Sequence, residues 1–279
     1  MVKFKLFIKK NKIAFIILLI LALILILSKN YIIREAREAA LNPSNRIHLI
    51  NIAKVLTPIK NFILMRNLDD KIALLKSSGA CVFCDLTQGN FKGMDLEGVD
   101  LRYASLIGAD LSNTNLNGVT LHHANLSGVN LSNANLQDAN LSSGNLNGAN
   151  LSNTNLNGTM LTDVNLSGAN LDGVDLSNKN LSGANLDGVD LSNKNLTGVN
   201  LSGVNLSNTN LNGTILTYAN LAGVNLDGVD LTNMDLTGAI LDGVDLSNKD
   251  LTGTVLLNTK LSGVNFDGVD LTNMDLTGA

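Results

Sequence analysis

Hydrophobic residues recur at every fifth position along most of the chain. From position 86 to position 276 every fifth residue is leucine, except for Phe91 and Phe266, so 37 of 39 such positions carry leucine. The residue before each is Asn or Asp almost throughout, and the residue two before is usually Ala, Val or Thr. A period of five fits neither a helix with 3.6 residues per turn nor an alternating strand. It predicts a coil of short extended sides joined by corners.

The chemistry of each position in the five-residue unit predicts where its side chain lies. The leucine and the small residue are expected to face inward, where large and small side chains alternate in a narrow, filled interior without a pore or large pocket. The Gly or Asn that ends each unit is expected at a corner, because both residues tolerate positive φ. The remaining polar residues face solvent, and the Asn or Asp before the leucine can hydrogen-bond backbone groups of the turn.

This unit, [A/V/T]-[N/D]-L-[S/T/N/D]-[G/N], resembles the repeat of the pentapeptide-repeat family, and it covers about 195 of the 279 residues. The resemblance implies an all-β repeat solenoid, a right-handed quadrilateral β-helix with four five-residue sides per coil. It also implies nearly ten coils, which form a rod of roughly 47 Å if each coil rises by about 4.8 Å. We place this domain at residues 81–279.

A membrane anchor is predicted before the repeats. The basic segment 1–12 contains five lysines and leads into an uninterrupted apolar run, so we place a transmembrane signal-anchor helix at 13–28. Its length of about 24 Å is less than the ~30 Å hydrocarbon core, but flanking lysines can snorkel. More basic residues precede the run than follow it closely, which predicts a cytoplasmic amino terminus and an extracytoplasmic repeat domain, in a periplasm or lumen. Secretion after signal cleavage is the alternative, although no small-x-small cleavage site follows the run.

A short, mostly helical neck is predicted at residues 29–80. Apolar residues continue at helical spacing through this stretch, with Pro58 interrupting them. A second short helix is predicted in LDDKIALLKSSG, which has acids in its first turn, Lys76 near its last turn and Gly79 at its end. We interpret His48 as a packing or surface residue of this neck.

Charge divides the chain into two parts of opposite sign. Residues 1–84 contain fourteen Lys and Arg against four acids, near +10, whereas residues 85–279 contain six against twenty, near −14. This division suits a membrane-proximal basic segment that carries a solvated acidic domain. Aromatic residues make up only 4% of the chain, which leaves few stacking platforms for bases or sugars. Binding to nucleic acid is therefore not expected.

Cys81 and Cys84 form a C-x-x-C motif immediately before the first leucine of the repeat. Both continue the inward registers, and many pentapeptide-repeat proteins resemble this chain in carrying Cys-x-x-Cys-Asp-Leu at the entrance. We interpret the pair as a structural cap, either as thiols or as a disulfide. A redox pair or half of a zinc site are the alternatives, but no second C-x-x-C or thioredoxin-like pattern accompanies it.

The remaining candidate chemistry is sparse. His122 and His123 are interpreted as surface residues, since adjacent side chains diverge and no ladder of carboxylates joins them. No catalytic Ser/His/Asp set, phosphate-binding glycine loop or basic nucleic-acid patch is visible in the sequence. We therefore predict no enzyme activity, no cofactor and no metal site.

Three lysines occupy positions where the repeat has a small inward residue. Lys179, Lys194 and Lys249 stand two before a leucine and follow Ser-Asn, and Met234 and Met274 occupy the same slot after Thr-Asn. We expect the Asn corner to open the slot, so that the aliphatic part of the lysine lies along the wall of the coil and its amine reaches solvent.

Copies of the unit LDGVD often recur in steps of fifteen residues. Such a step moves the unit to a different side of a four-sided, twenty-residue coil. This favours a preserved scaffold over one functional face.

These observations favour a non-enzymatic, membrane-tethered structural scaffold or protein-interaction rod with an unidentified protein partner. The second hypothesis is an acidic DNA-mimicking inhibitor of a DNA-binding enzyme such as a topoisomerase. The family resemblance allows this function, although the negative charge per unit length of the rod is low. The third is a redox protein using Cys81 and Cys84. The terminal coil lacks a predicted cap, so a homodimer through Leu271, Met274 and Leu276 is also expected.

Overall fold

The structure, a computed structural model, describes residues 68–279. It begins with one helix, α1, at Leu68–Ser78. The N–H of Gly79 donates to the carbonyl of Leu75 at 3.0 Å, and a φ of 66° at this glycine ends the helix. The second helix predicted for the neck is therefore confirmed.

The predicted segments before this helix cannot be compared with the structure. The basic segment 1–12, the anchor at 13–28 and the first part of the neck, 29–67, lie outside the described residues. Among residues 68–279, no helix is both long and apolar enough to cross a membrane.

From residue 80 onward the chain winds into a coil that repeats after every four units. Single-residue parallel bridges join most of the residues that precede a leucine to their equivalents four units later, from Ala80↔Asp100 to Asp245↔Asn265. Four bridge positions occur in each period, so one coil has four sides, each formed by one five-residue unit. We call the sides A, B, C and D; they contain positions 85, 90, 95 and 100 and the equivalent positions in each later coil. The predicted four-sided coil is confirmed, and its right-handed winding stays a prediction.

The predicted strands are wrong in one respect: within residues 68–279 no strand extends beyond a single bridge residue. Each unit contains a turn, in which the N–H of the small residue donates to the carbonyl of the preceding leucine, as Val99 does to Leu96 at 3.2 Å. The residue before the small one has positive φ, as Gly98 does at 65°. One left-handed residue in every five interrupts extended backbone, so the solenoid is built from turns and isolated bridges.

The interior is a continuous apolar core that follows the coil. Leucines such as Leu101 and Leu136 are fully buried, and so are small residues such as Ala104 and Val129. The two inward registers predicted from the sequence are thereby confirmed. Burial of each leucine contributes about 1.5–3 kcal/mol, so the core is the main source of stability.

Helix α1 covers the amino-terminal coil. Leu75 is 2% exposed and belongs to the continuous core, and Ile72 and Leu74 pack against it. The apolar face of the helix therefore closes the end of the rod where the first coil begins.

Corner side chains lie over the glycines of the following coil. Asn153 has a φ of 56°, and its Oδ1 lies where a Cβ on Gly173 would be. A Cβ on the neighbouring corner Gly168 would meet nothing within 4 Å. A Cβ at Gly173 would therefore require the Asn153 side chain to move, in addition to adopting positive φ.

Candidate interaction surface

Cys81 and Cys84 are joined by a disulfide at the entrance to the coil, with their Cα atoms 5.4 Å apart. Their side chains are 2% and 4% exposed, as expected for the two inward registers. A redox partner needs access to sulfur, which burial denies. The arrangement fits a structural cap better than the redox alternative.

An exposed stack of aromatic rings lies on one corner near the amino end. Phe83, Tyr103 and His123 occupy the same corner position in three successive coils, with positive φ values of 59°, 59° and 57°. The ring centroids of Phe83 and Tyr103 are 4.8 Å apart, and those of Tyr103 and His123 are 5.1 Å apart. The few aromatic residues are therefore partly gathered in one place. Sequence analysis missed this stack, although the spacing of one full coil between these residues could have revealed it.

The two adjacent histidines belong to this corner. His122 Nδ1 lies 2.9 Å from the carbonyl oxygen of Ser142, and the two imidazole centroids are 3.9 Å apart. Within residues 68–279, no group of three His, Cys, Asp or Glu side chains could hold a metal ion.

The Asn and Asp residues at the bridge positions hold the turns, as the sequence predicts. Oδ1 of Asn125 accepts the N–H of Ser127 at 3.2 Å, and Oδ1 of Asp230 accepts that of Thr232 at 2.9 Å. The Thr232 N–H lowers the pKa of Asp230, and the hydroxyl of Thr252 lowers the pKa of Asp250. These exposed carboxylates are accordingly ionised at neutral pH.

The backbone bridges between successive coils form a ladder along the rod. This ladder is interrupted six times in the described part of the chain, always beyond residue 155. Each interruption removes two neighbouring bridges, one on each side of a corner. At each of these positions the bridge to the residue twenty positions earlier, in the preceding coil, is missing. The positions are 175 and 180, 190 and 195, 205 and 210, 230 and 235, 245 and 250, and 270 and 275. Five of these pairs belong to copies of [L/F]DGVDL[S/T]N[K/M], of which the last begins with Phe266, and the pair 205 and 210 belongs to LSGVNLSNTN. We call each pair of missing bridges an opening in the wall of the coil. The copies of LDGVD therefore mark openings, which sequence analysis missed.

Aspartates accompany most of the openings, whereas amide side chains stack along the uninterrupted part of the rod. In the uninterrupted part, Nδ2 of Asn145 donates to Oδ1 of Asn125 at 3.3 Å. An ionised aspartate has no hydrogen to donate, and five of the six interrupted pairs begin with one. Where Asp230 and Asp250 stack, the charge of Asp250 also opposes ionisation of Asp230. Between Asp230 and Asp250, repulsion between like charges takes the place of a side-chain hydrogen bond.

Two of the three inward lysines direct their amines into these openings. Lys194 Nζ donates to the Leu171 carbonyl at 3.0 Å and lies 3.6 Å from Oδ1 of Asp172. Lys249 Nζ donates to the carbonyls of Leu226 and Val229 at 2.7 and 3.2 Å.

The expected emergence of these two amines into solvent is wrong. The side chain of Lys194 is only 16% exposed, and its amine hydrogen-bonds to the wall. In an uninterrupted ladder the Val229 carbonyl would accept the N–H of Asp250, and Lys249 takes the place of that donor. Lys249 therefore satisfies the Val229 carbonyl, which the opening leaves without a backbone partner. The Leu171 and Leu226 carbonyls accept the lysine amines in addition to the backbone N–H groups of Val174 and Val229.

Acidic side chains form a column on side B of the carboxyl-terminal half. Asp190, Asp230, Asp250 and Asp270 are all exposed there, with Asn210 interrupting the series. Side B has no bridge beyond Asn150↔Asn170 in the described residues. This side combines negative charge with unpaired backbone groups.

The last coil exposes apolar side chains that are buried elsewhere in the rod. Leu276 is 37% exposed, and Leu271 and Met274 are half-buried. In the coils before it, the same registers are filled by residues such as Leu236 and Leu256, which are at most 1% exposed.

Two family models match the coil. The model described as a pentapeptide repeat region matches residues 95–176. The model described as pentapeptide repeats in eight copies matches residues 180–217, 214–253 and 250–279. Together they cover more than half of the chain. Among curated proteins, none matches this chain.

Several solved structures are similar to the chain. HetL, a pentapeptide repeat protein involved in heterocyst differentiation regulation from the cyanobacterium Nostoc sp. strain PCC 7120, is 29% identical. The match covers 77% of this chain and 94% of HetL, with a TM-score of 0.38. A trypsin-treated form of QnrB1, a plasmid-mediated fluoroquinolone resistance protein, is 21% identical over 71% of this chain and 89% of that one, with a TM-score of 0.33. A pentapeptide repeat protein from the Arabidopsis thaliana thylakoid lumen is 27% identical over 49% and 70% of the two chains, with a TM-score of 0.14. At these TM-scores the likenesses do not indicate what this chain binds.

Proposed function

The chain belongs to the pentapeptide-repeat family, and we propose that it is a non-enzymatic rod for protein interaction, tethered to a membrane by residues 13–28 and displayed outside the cytoplasm. The observation that carries this proposal is the solid interior, which runs without a break from Cys81 to Leu256. A filled rod offers its partners an outer surface, and its exposed side chains repeat in columns from one coil to the next. The partner would be a protein that spans several coils.

The tether and its orientation can be tested with reporter fusions. An alkaline phosphatase or a fluorescent protein joined after Ala279 would be compared in the full chain and in a variant lacking residues 13–28. We expect phosphatase activity and membrane retention for the full chain, and loss of both in the deletion variant. Cytoplasmic fluorescence without phosphatase activity in the full chain would overturn the proposed location.

A second copy of the chain is the partner we propose for the exposed last coil. Two rods meeting end to end would cover Leu271, Met274 and Leu276, because apolar side chains are stabilised when removed from water. Light scattering on the full chain in detergent should then give twice the monomer mass. Leu276→Lys should break this dimer, whereas the interior control Leu136→Ala should lower stability without changing the mass. A monomer at every concentration would exclude the contact.

The acidic column favours a second candidate, an inhibitor that mimics DNA. Residues 160–279 carry fourteen acids against four lysines, a net charge of −10. Over six coils of about 4.8 Å this is about one charge per 3 Å, sparser than the one per ~1.7 Å of duplex DNA. A supercoiling assay with a purified topoisomerase decides between the candidates. Inhibition by the full chain, abolished when Asp190, Asp230, Asp250 and Asp270 become Asn, would favour DNA mimicry over our leading proposal.

A further inference from the structure

Two of the six openings contain a methionine instead of a lysine, and both form clefts in the wall of the rod. The first has a volume of about 840 Å³ and lies between residues 208–215 and the part of the next coil from 228 to 235. The second has a volume of about 500 Å³ and lies between 248–254 and the part from 268 to 275. They lie at the same corner, two coils apart, with Met234 in one and Met274 in the other.

The openings that contain lysine show which chemical group such a site accepts. The amine of Lys249 binds the carbonyls of Leu226 and Val229 in the preceding coil, and that of Lys194 binds the equivalent of the first, the carbonyl of Leu171. A carboxylate, Asp172, stands 3.6 Å from the amine of Lys194. An ammonium group on an unbranched chain is thus bound twice in this rod, by backbone oxygens at equivalent positions.

The methionine clefts contain the equivalent oxygens. For Met234 the residues equivalent to Leu226 and Val229 are Leu211 and Thr214, and both line the first cleft. For Met274 they are Leu251 and Thr254, which line the second. The carbonyls of Thr214 and Thr254 accept no backbone hydrogen bond from any residue of the described chain. A methionine side chain is one heavy atom shorter than lysine and has no N–H group, so it cannot satisfy them.

The charge at the clefts also favours a cation. Asp230 and Asp235 line the first cleft, together with no basic residue of the described chain. Asp250, Asp270 and Asp275 line the second. Lys249 also lines the second cleft, but its amine is bound to carbonyls of the preceding coil. Charge-assisted N–H···O bonds to carbonyls, with carboxylates nearby, suit an ammonium ion better than a neutral ligand.

We propose that the two methionine clefts bind primary alkylammonium groups on unbranched chains, supplied either by a linear diamine or by an exposed lysine side chain of a partner. The ammonium group donates to the Leu211 and Thr214 carbonyls in one cleft and to the Leu251 and Thr254 carbonyls in the other. In each methionine cleft the ligand thereby supplies the ammonium group that Lys194 and Lys249 supply in their own openings. Neither cleft depends on the membrane tether, and the first cleft shares no residue with the proposed end-to-end contact, whereas the second shares Met274 with it.

Calorimetric titration of the full chain with 1,5-diaminopentane tests the proposal, with pentan-1-ol as the control of equal chain length. We expect two sites for the diamine and none for the alcohol. Met234→Lys with Met274→Lys would place the chain's own amine in both clefts and should weaken binding at least tenfold, which is about 1.4 kcal/mol. Because lysine already occupies this register at positions 194 and 249, the double variant is expected to fold, and its melting curve checks this.

The reverse substitution gives an independent test. Lys194→Met should open a third site and raise the stoichiometry to three, while the matched charge change Lys92→Met, at an exposed position, should leave it at two. Asp230→Asn with Asp235→Asn should weaken the first site even if the lysine variants fail to fold. Equal binding in all variants, or equal binding of the alcohol, would overturn the proposal.

A blocked peptide with one central lysine distinguishes the two sources of the amine. Binding of the diamine but not of the peptide would assign the clefts to free amines, and binding of the peptide would assign them to a partner's lysine. If neither ligand binds the wild-type chain, the proposal is wrong, whatever the outcome for the interaction rod.

Discussion

At the scale of single residues, the corner position decides which side chains the coil can display. Every unit requires positive φ at one residue, which costs most side chains about 1–2 kcal/mol. Asn and Gly meet this requirement at most corners, yet Phe83 and Tyr103 adopt it as well, at 59°. Their stacking on one another, worth about 0.5–1.5 kcal/mol, offsets part of this strain.

Two neighbouring glycines separate the effect of φ from that of space. Gly168→Ala should destabilise the rod by about 1–2 kcal/mol, because φ is 62° but a Cβ there is unobstructed. Gly173→Ala should cost more, because its Cβ would also overlap Asn153. Urea denaturation of both variants measures the difference, and equal losses would show that Asn153 moves aside freely.

The lysine amines should be protected from chemical labelling. Lys194 and Lys249 donate to backbone carbonyls and are half-buried, whereas Lys92 is exposed. Mild acetylation of the folded chain, followed by mass spectrometry, should therefore modify both more slowly than Lys92. Rates equal to that of Lys92 would mean that the amines leave the openings in solution.

At the scale of elements, each side of the coil depends on its neighbours for backbone hydrogen bonds. The sides before residue 155 are bridged in every coil, while the later ones open at each copy of the LDGVD unit. The amino end is closed by α1 and by the disulfide between Cys81 and Cys84. Stability is therefore expected to decrease from the amino end toward the carboxyl end.

Replacing Cys81 with Ala and Cys84 with Val tests the structural role of the disulfide. Loss of this buried cross-link should lower the melting temperature while leaving diamine binding unchanged, because the clefts lie many coils away. Leu75→Ala provides a comparison at the same end, with an expected loss of about 2–5 kcal/mol from the cavity. An unchanged melting temperature would contradict the structural role of the disulfide.

At the scale of the whole molecule, the acidic half contains most of the turn carboxyls whose pKa is lowered, and only Asp85, Asp100 and Asp110 lie in the other half. Turn hydrogen bonds lower the pKa of the carboxyls in the acidic half below the ordinary 3.8, and they belong to Asp175, Asp190, Asp230, Asp245, Asp250, Asp270 and Asp275. In the uninterrupted half, Asn residues hold most of the equivalent turns and do not titrate. The two halves of the rod should therefore respond differently to acid.

A carboxyl whose pKa is lower in the folded state stabilises the fold at pH values above its unfolded pKa, and this contribution is lost as the pH falls through the folded pKa. We expect hydrogen exchange at residues 171–279 to increase between pH 5 and about pH 3, after correction for intrinsic rates, and residues 86–150 to change less. Relief of repulsion between Asp230 and Asp250 acts in the opposite direction, but the hydrogen bond from Thr232 is the larger effect. Greater loss in the amino-terminal half would contradict this prediction.

The sequence alone determined the contents of each unit, because its five positions have distinct and repeated chemistry. Leucine and a small residue fill the core, Asn or Asp holds the turn, and Gly or Asn forms the corner, as at Leu101, Ala104, Asp230 and Gly98. The family resemblance added the four-sided coil. None of these features requires knowledge of what lies in the next coil.

Only the tertiary structure decided which features depend on contacts between one coil and the next. The interrupted ladder, the stack of Phe83 on Tyr103 and the bond from Lys249 to the Leu226 carbonyl all form between adjacent coils. Their presence depends on how closely two adjacent coils approach each other. A five-residue pattern specifies each side by itself and does not fix that distance.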